Sequence, residues 1–150
     1  MFRLSRKTLF AIEAVLDIAY NAGEHPVQSK GIAERQDIPR RYLEQVLQHL
    51  VRAGVLRGVR GPRGGYRLAR ERRRISLGEI VRIVARMDNE EEAEETANSE
   101  LGRVVLQPIW RKLEEDALTG LESMSVEDLC SRAREADISV RAVRNLDFTI

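Results

Sequence analysis

Apolar and polar residues alternate with the period of an α-helix through the first third of the chain. The first such segment runs from about residue 5 to 21, with Ser5 in the N-cap position. A short helix is predicted over residues 29–36. The third spans about 39–53 and places Leu43, Val46, Leu47 and Leu50 on one face. Gly54 follows it, which suits the left-handed position after a helix. The pattern therefore predicts three helices.

A segment rich in glycine, proline and arginine comes next. Residues 60–67 are Arg-Gly-Pro-Arg-Gly-Gly-Tyr-Arg, and β-compatible residues flank them, so a hairpin is predicted from about Leu56 to Leu68. A short helix, a turn, a second helix and a cationic hairpin form the order of a winged helix-turn-helix, a DNA-binding unit. A basic surface turn without such a role is the alternative.

The rest of the chain predicts further helices around an acidic run. Ser76 and Glu79 have the spacing of a capping box and open a helix to about Arg86. Residues 88–95 contain six acidic residues in eight, which predicts a solvated loop. Helices are predicted over about 98–121, bent or restarted at Pro108, and over about 126–136. The residues from there to 150 support no assignment.

These elements predict a mainly α fold with a small β-hairpin wing: a winged helix-turn-helix plus a long dimerisation helix. The expected organisation is a DNA-binding domain over residues 1–86, an acidic loop over 87–97, and the long helix with a C-terminal helix over 98–150.

The predicted long helix carries an apolar stripe that is too long for one small domain to cover. Two-fold DNA-binding proteins need an element that fixes the spacing of their half-sites, so we interpret the stripe as a homodimer interface. An internal packing helix is the alternative. The candidate dimerisation residues are Leu101, Val105, Ile109, Leu113 and Leu118, and Trp110 is a candidate interface or core residue.

Charge divides the chain in two, although the net charge is only +1. Residues 1–86 contain 18 Lys and Arg against 8 Asp and Glu, a balance of +10, whereas residues 87–150 contain 7 against 16, a balance of −9. A basic first half gains affinity for a polyanion through the release of counterions. The split therefore favours nucleic acid as the partner of the first half.

No pattern in the sequence indicates an enzyme, a cofactor or a membrane protein. There is no phosphate-binding loop, no nucleophile motif and no clustered set of metal ligands, and the two histidines are far apart. The acidic run lacks the glycine-punctuated pattern of a calcium loop. The single cysteine, Cys130, is expected to be a packed thiol, with a redox role as the alternative. The N-terminus lacks a secretory signal, no apolar run could span a bilayer, and the expected location is the cytoplasm.

The third helix carries the polar side chains that suit contact with bases. Arg41, Glu44 and Gln45 could reach base edges, since arginine pairs with guanine, glutamine with adenine, and glutamate accepts from cytosine. Arg40 lies on the same polar face. Alternatively, Glu44 is a surface residue that pairs with one of these arginines.

Several segments resemble the Rrf2-type transcription regulators, strongly over residues 3–86. They are Leu4-Ser5-Arg6-Lys7, Ala14 to Ala19, Ile32 to Arg35, Tyr42-Leu43-Glu44-Gln45, and Val59 to Pro62 with Gly64-Gly65-Tyr66. The resemblance implies a bacterial homodimer with winged-helix domains and a long crossing helix. It also implies that Arg41, Tyr42, Glu44 and Gln45 face the major groove while Arg60 and Pro62 enter the minor groove. Arg40 and Arg63 are further candidates for DNA contact.

The chain departs from the family where some members bind an iron–sulfur cluster. Those members place three cysteines between the winged-helix domain and the long helix, whereas residues 88–105 contain none here. Thiolates are the usual cluster ligands, so no cofactor or metal is expected. The predicted function is a homodimeric, sequence-specific regulator that binds double-stranded DNA without a cluster. The alternatives are a regulator controlled by a protein partner and a redox sensor with unusual cluster ligands; a small-molecule effector stays open.

Overall fold

The structure, a computed structural model, describes residues 5–91 and 98–136, and it is mainly helical with one two-stranded antiparallel sheet. The elements in chain order are α1 (Arg6–Tyr20), α2 (Ser29–Gln36), α3 (Arg40–Arg52), β1 (Leu56–Val59), β2 (Gly65–Leu68), a 3₁₀ turn (Arg72–Arg74), α4 (Leu77–Glu91), a π-helical segment (Gly102–Leu106), α5 (Gln107–Glu122) and α6 (Val126–Glu135). The predicted fold class is confirmed. The division of the chain into three parts stays a prediction.

The ends of several helices follow from local sequence. Ser5 caps α1 by accepting from the backbone N–H of Thr8 at 3.1 Å. Ser125 and Asp128 form a complete capping box at the start of α6. At the start of α4 only half of the predicted box forms: the backbone N–H of Glu79 donates to Ser76 Oγ at 3.0 Å, but the Glu79 carboxylate accepts from Arg70 instead.

One apolar core unites the first four helices with α6. Its most deeply buried members, each less than 2% exposed, include Ile18 of α1, Leu47 of α3 and Ile80 of α4. Val126 and Cys130 bring α6 into the same core. Each fully buried aliphatic side chain of this kind contributes about 1.5–3 kcal/mol to folding. α6 therefore packs with the winged-helix elements, although it follows the long helix in the chain.

The prediction about the acidic run needs correction. α4 continues to Glu91, so the first residues of the acidic run are helical where a loop was predicted; residues 92–97 lie outside the described part. Buried Met87 anchors the end of α4, and glutamate is a good helix former, so the helix can extend by a further turn.

The helix changes its winding just before Pro108. The predicted restart takes the form of a π-helical segment just before the proline, in which the Gln107 N–H donates to Gly102 O. A proline lacks an N–H and clashes with the carbonyl four residues earlier, and a wider turn relieves that crowding. The chain stays helical from Leu101 to Glu122, which we call the long helix.

The long helix is attached to the core at its C-terminal end. The backbone N–H of Leu77 donates to Met124 O and that of Val126 donates to Ile75 O, both at 2.8 Å. Arg82 of α4 forms ion pairs with Glu115 at 3.0 Å and with Glu122 at 2.6 Å. These contacts fix the last turns of the long helix, because they join it and the residues after it to α4 and to residues 75–77 at the start of α4.

Candidate nucleic-acid interface

The helix-turn-helix is held together by a buried ion pair between α1 and α2. The Asp17 carboxylate, fully buried, accepts from Arg35 Nε at 2.9 Å and from Arg35 Nη2 at 2.8 Å. Gln36 Nε2 donates to the same carboxylate at 2.9 Å. Hydrogen bonding to Asp17 raises the pKa of Arg35 above its ordinary value. This cluster, here called the Asp17 clamp, sets the position of α2 on α1 and so the frame in which α3 lies.

The turn between α2 and α3 depends on one unusual backbone position. Asp37 adopts the left-handed conformation at φ 52°, a region that aspartate tolerates better than most residues. Ile38 is buried beside it, and Pro39 precedes the first residue of α3. The turn therefore brings α3 onto the core with its polar face outward.

α3 buries its apolar face completely and exposes the predicted contact residues. Leu43, Val46, Leu47 and Leu50 are at most 1% exposed. The opposite face carries Arg40, Arg41, Glu44 and Gln45, all exposed. Within the part of the chain that the structure describes, Glu44 forms no ion pair with either arginine. Its carboxylate is therefore available to an outside partner.

Tyr42 differs from the other predicted contact residues of α3, because it is half-buried. Its ring lies 6.3 Å from that of Phe10 on α1, at an interplanar angle of 34°. The Arg41 guanidinium carbon lies 5.1 Å from the centre of the Tyr42 ring. Sequence reasoning placed Tyr42 in the groove only by resemblance and missed its contact with Phe10.

The hairpin forms as predicted and presents an exposed basic tip. β1 and β2 pair in the register Leu56 to Leu68 through Val59 to Gly65. Arg60, Pro62 and Arg63 are exposed at the tip. Gly61 has a φ of 115°, which only glycine adopts readily, so this glycine sets the turn. We call residues 56–68 the wing.

The base of the wing is fastened to the segment between α1 and α2. Val27 and Tyr66 form a bridge, with Val27 N donating to Tyr66 O at 3.0 Å and Tyr66 N donating to Val27 O at 2.8 Å. A side chain on Gly65 would place its Cβ 2.4 Å from Val27 O, so glycine permits this approach. Arg67 donates to the carbonyls of Gly23 and Glu24 at 3.0 and 2.7 Å. The base is rigidly held while the tip projects.

The sequence analysis predicted neither the attachment of the wing base to the segment between α1 and α2 nor the Asp17 clamp. One signal for the clamp was present: Asp17 lies between Leu16 and Ile18 on the apolar face of α1, and a buried carboxylate requires a partner. Nothing local indicated that Arg67 would bond to carbonyls more than 40 residues away in sequence.

Comparison with known proteins identifies the family. The Rrf2 family, described as "Iron-dependent Transcriptional regulator", matches residues 4–132. The transcriptional regulator IscR of Xenorhabdus nematophila is 34% identical over 140 residues, which cover 93% of this chain and 85% of that protein. This chain belongs to the Rrf2 family. It is accordingly a transcription regulator of the DNA-binding kind, and its relatives are not enzymes.

Solved structures of Rrf2 regulators share the fold. The structure of IscR from T. potens is similar with a TM-score of 0.73 at 34% identity, covering 92% of this chain and 93% of that one. CymR, the global cysteine regulator of B. subtilis, has a TM-score of 0.68 at 29% identity, covering 88% of this chain and 98% of that one. The helix order and the wing of this chain are thus those of the family.

The donor set of this chain does not suit an iron–sulfur cluster. Its single cysteine, Cys130, is 1% exposed and packs in the core through α6. Burial raises the pKa of the Cys130 thiol above its ordinary value, with the Arg72 guanidinium only partly opposing this, so the thiolate that binds iron is disfavoured. Among residues 5–91 and 98–136, no three His, Cys, Asp or Glu side chains are grouped as metal ligands.

The length and polarity of the described helices bear on the expectation that the chain does not cross a membrane. Over the same described ranges, none of the helices combines the length and the apolar character that crossing a bilayer requires.

Proposed function

We propose that this Rrf2 protein is a cytoplasmic homodimer that binds a two-fold symmetric DNA site without an iron–sulfur cluster. α3 would occupy the major groove, through Arg40, Arg41, Glu44 and Gln45. The wing would contact the adjacent minor groove through Arg60, Pro62 and Arg63. The observation that carries the proposal is the exposure of both sets of side chains on elements whose other sides are anchored in the core.

Charge supports the assignment of these surfaces. Residues 1–86 carry an excess of ten positive charges, and within the described part of the chain Arg40, Arg60 and Arg63 form no ion pair. Guanidinium groups without an ion-pair partner, on an exposed helix face and at a hairpin tip, can bind phosphates and base edges. A regulator controlled by a protein partner would not require this arrangement.

The proposal of a homodimer is based on the exposed apolar side chains of the long helix. Seven of its large apolar side chains are at least 41% exposed; they are Leu101, Val104, Val105, Leu106, Ile109, Trp110 and Leu113. Four of the five predicted dimerisation residues are in this set, and the fifth, Leu118, is half-buried nearer the attached end. A second copy of the same helix offers a matching apolar surface, because two-fold interfaces are self-complementary.

The cluster-free state rests on ligand chemistry. One buried cysteine cannot supply the thiolates that hold a cluster, and the segment in which some relatives carry three cysteines has none. Iron content and visible absorbance of protein purified with and without oxygen test this point. A stoichiometric iron content together with a visible band would overturn it.

DNA binding is tested with duplexes selected by the purified protein from a random-sequence pool. Arg60→Ala should cost about 1–3 kcal/mol of binding to the selected duplex, the range for a groove contact. The control is Arg132→Ala on α6, which removes the same charge from outside the predicted interface. Affinity should fall steeply with salt, in proportion to the number of phosphates contacted. Equal affinity of Arg60→Ala and the native protein would refute the wing assignment.

A further inference from the structure

Two neighbouring arginines at the start of α3 have different surroundings. Arg41 lies over the ring of Tyr42, with its guanidinium carbon 5.1 Å from the ring centre, and its Nη2 lies 3.4 Å from the Tyr42 hydroxyl. Arg40 makes no such contact in the described part of the chain. We propose that Tyr42 is a positioning residue, which holds Arg41 so that Arg41 discriminates guanine at one position of the DNA site. This inference rests on the proposed function.

The ring of Tyr42 is itself held from behind. Phe10 of α1 is half-buried against the core, and its ring lies 6.3 Å from that of Tyr42. The stack Phe10–Tyr42–Arg41 therefore runs from the domain core to the surface of α3. The Tyr42 ring therefore lies close both to an aromatic ring of α1 and to the Arg41 guanidinium.

Stacking changes what an arginine can do at a DNA surface. A free arginine side chain loses rotamer entropy when it is immobilised. A cation–π contact with tyrosine restricts the guanidinium before DNA arrives. Stacking uses the flat face of the guanidinium and leaves N–H donors at its edge, where the two acceptors of guanine, O6 and N7, would bind.

Electrostatics leaves Arg41 available for this contact. Within residues 5–91 and 98–136 no carboxylate forms an ion pair with Arg41, so its charge is not neutralised inside the protein. Tyr42 is half-buried behind Arg41. The tyrosine is therefore better placed to support the arginine than to contact the DNA groove itself. The placement of Tyr42 in the groove, expected from family resemblance, stays a prediction, and the indirect role proposed for Tyr42 is an alternative to it.

Substitutions of Tyr42 separate stacking from packing. Tyr42→Phe keeps the aromatic face and removes only the hydroxyl. Tyr42→Leu keeps apolar contact with Phe10 and removes the aromatic face. Arg41→Ala removes the proposed contact, and Arg52→Ala, at the exposed end of α3 and outside the predicted interface, is the control for loss of a positive charge. Thermal unfolding of every variant identifies any that fails to fold, in which case Tyr42→Met serves as a second non-aromatic replacement.

The measurement is the affinity of each variant for the duplex selected by the native protein and for duplexes with each base pair replaced in turn. Arg41→Ala should relax the preference for guanine at one position by about 5- to 150-fold, the range of a bidentate base contact. Tyr42→Leu should relax the preference at that same position by about two- to fivefold. Tyr42→Phe and Arg52→Ala should keep it.

Two results would overturn the inference. One is a Tyr42→Leu protein that keeps the full Arg41-dependent preference; the other is equal relaxation at every base pair, which indicates a general loss of fit. A DNA-independent measurement separates failure of the inference from failure of the proposed function. In the free protein, ring-current shifts of the Arg41 Nε–H signal should persist in Tyr42→Phe and disappear in Tyr42→Leu. If these shifts behave as stated but the native protein binds all DNA alike, the stack exists while sequence recognition, and with it the role in discrimination, is refuted.

Discussion

α3 and the long helix are both amphipathic, but they use their apolar faces differently. Four of the apolar residues of α3 are at most 1% exposed, because α1 and α4 cover them within one chain. α5 has no buried residue at all, and apolar side chains along the first half of the long helix stay exposed. The periodicity of the sequence is similar in both. It therefore predicts that a helix has an apolar face, but not whether the covering surface comes from the same chain or from another.

The largest effect is expected when negative charge is introduced into the exposed apolar face of the long helix. We predict that Ile109→Glu together with Leu113→Glu yields a monomer, because carboxylates cannot be buried unpaired between two helices. Loss of the second DNA contact should lower affinity for a symmetric duplex by about 10²- to 10⁴-fold. Sedimentation and binding titrations measure the two effects.

A matched control for this variant lies on the same helix. Arg111→Glu also adds negative charge, but at a position about 200° around the helix from Ile109, and it should leave the dimer intact. A charged double variant that still sediments as a dimer would show that another surface joins the copies, or that the long helix serves a different protein.

The second prediction concerns the interior of the winged-helix domain. Arg35→Ala leaves the buried Asp17 carboxylate with the Gln36 amide but without its guanidinium partner, and should lower the free energy of unfolding by about 3 kcal/mol. Asp17→Leu together with Arg35→Met should recover much of this loss, since a buried ion pair can be replaced by apolar residues at little cost.

Denaturant titration by circular dichroism gives these values, and Lys30→Ala on the exposed side of α2 is the control. A stability loss in Arg35→Ala no larger than in Lys30→Ala would show that the clamp is not needed to hold α2. Such a result would also weaken the contrast with the long helix, because the domain would then depend on apolar packing alone.

The sequence predicts those structural features whose causes lie within a few residues of them. α1, α2, α3 and α6 form within a residue or two of their predicted bounds, because each combines an apolar stripe with its own start or stop signal. The wing forms because residues 60–65 fit a tight turn. The Arg70 contact of Glu79 and the Asp17 clamp depend on residues distant in sequence, so periodicity and capping rules do not predict them. The candidate site divides in the same way: exposure of Arg41 and Arg60 was predictable, whereas the support of Arg41 by Tyr42 and Phe10 was not.

The third prediction tests the rigid base of the wing. Gly65→Ala should lower stability by about 2 kcal/mol, because its Cβ would overlap the Val27 carbonyl at 2.4 Å and one strand would have to move. Gly58 pairs across the hairpin with Tyr66, and a Cβ added at Gly58 would meet no atom within 4 Å, so Gly58→Ala is the control and should be nearly neutral. Thermal unfolding measures the stability of both variants. Equal stability of the two would show that the Val27–Tyr66 bridge does not constrain the wing.

The smallest effect is expected at Cys130, on the side of α6 that packs in the winged-helix core. Cys130→Ala should cost about 1 kcal/mol of stability, a typical loss for a small buried change, and should leave DNA affinity the same in reducing and oxidising buffers. Because burial raises the thiol pKa, little thiolate is present near neutral pH, and alkylation of the native protein should be slow, rising with pH and with added urea. Iodoacetamide labelling followed by mass spectrometry measures this rate. If native Cys130 reacted as fast as the unfolded chain, α6 would detach readily from the core, and a redox role for this thiol would regain support.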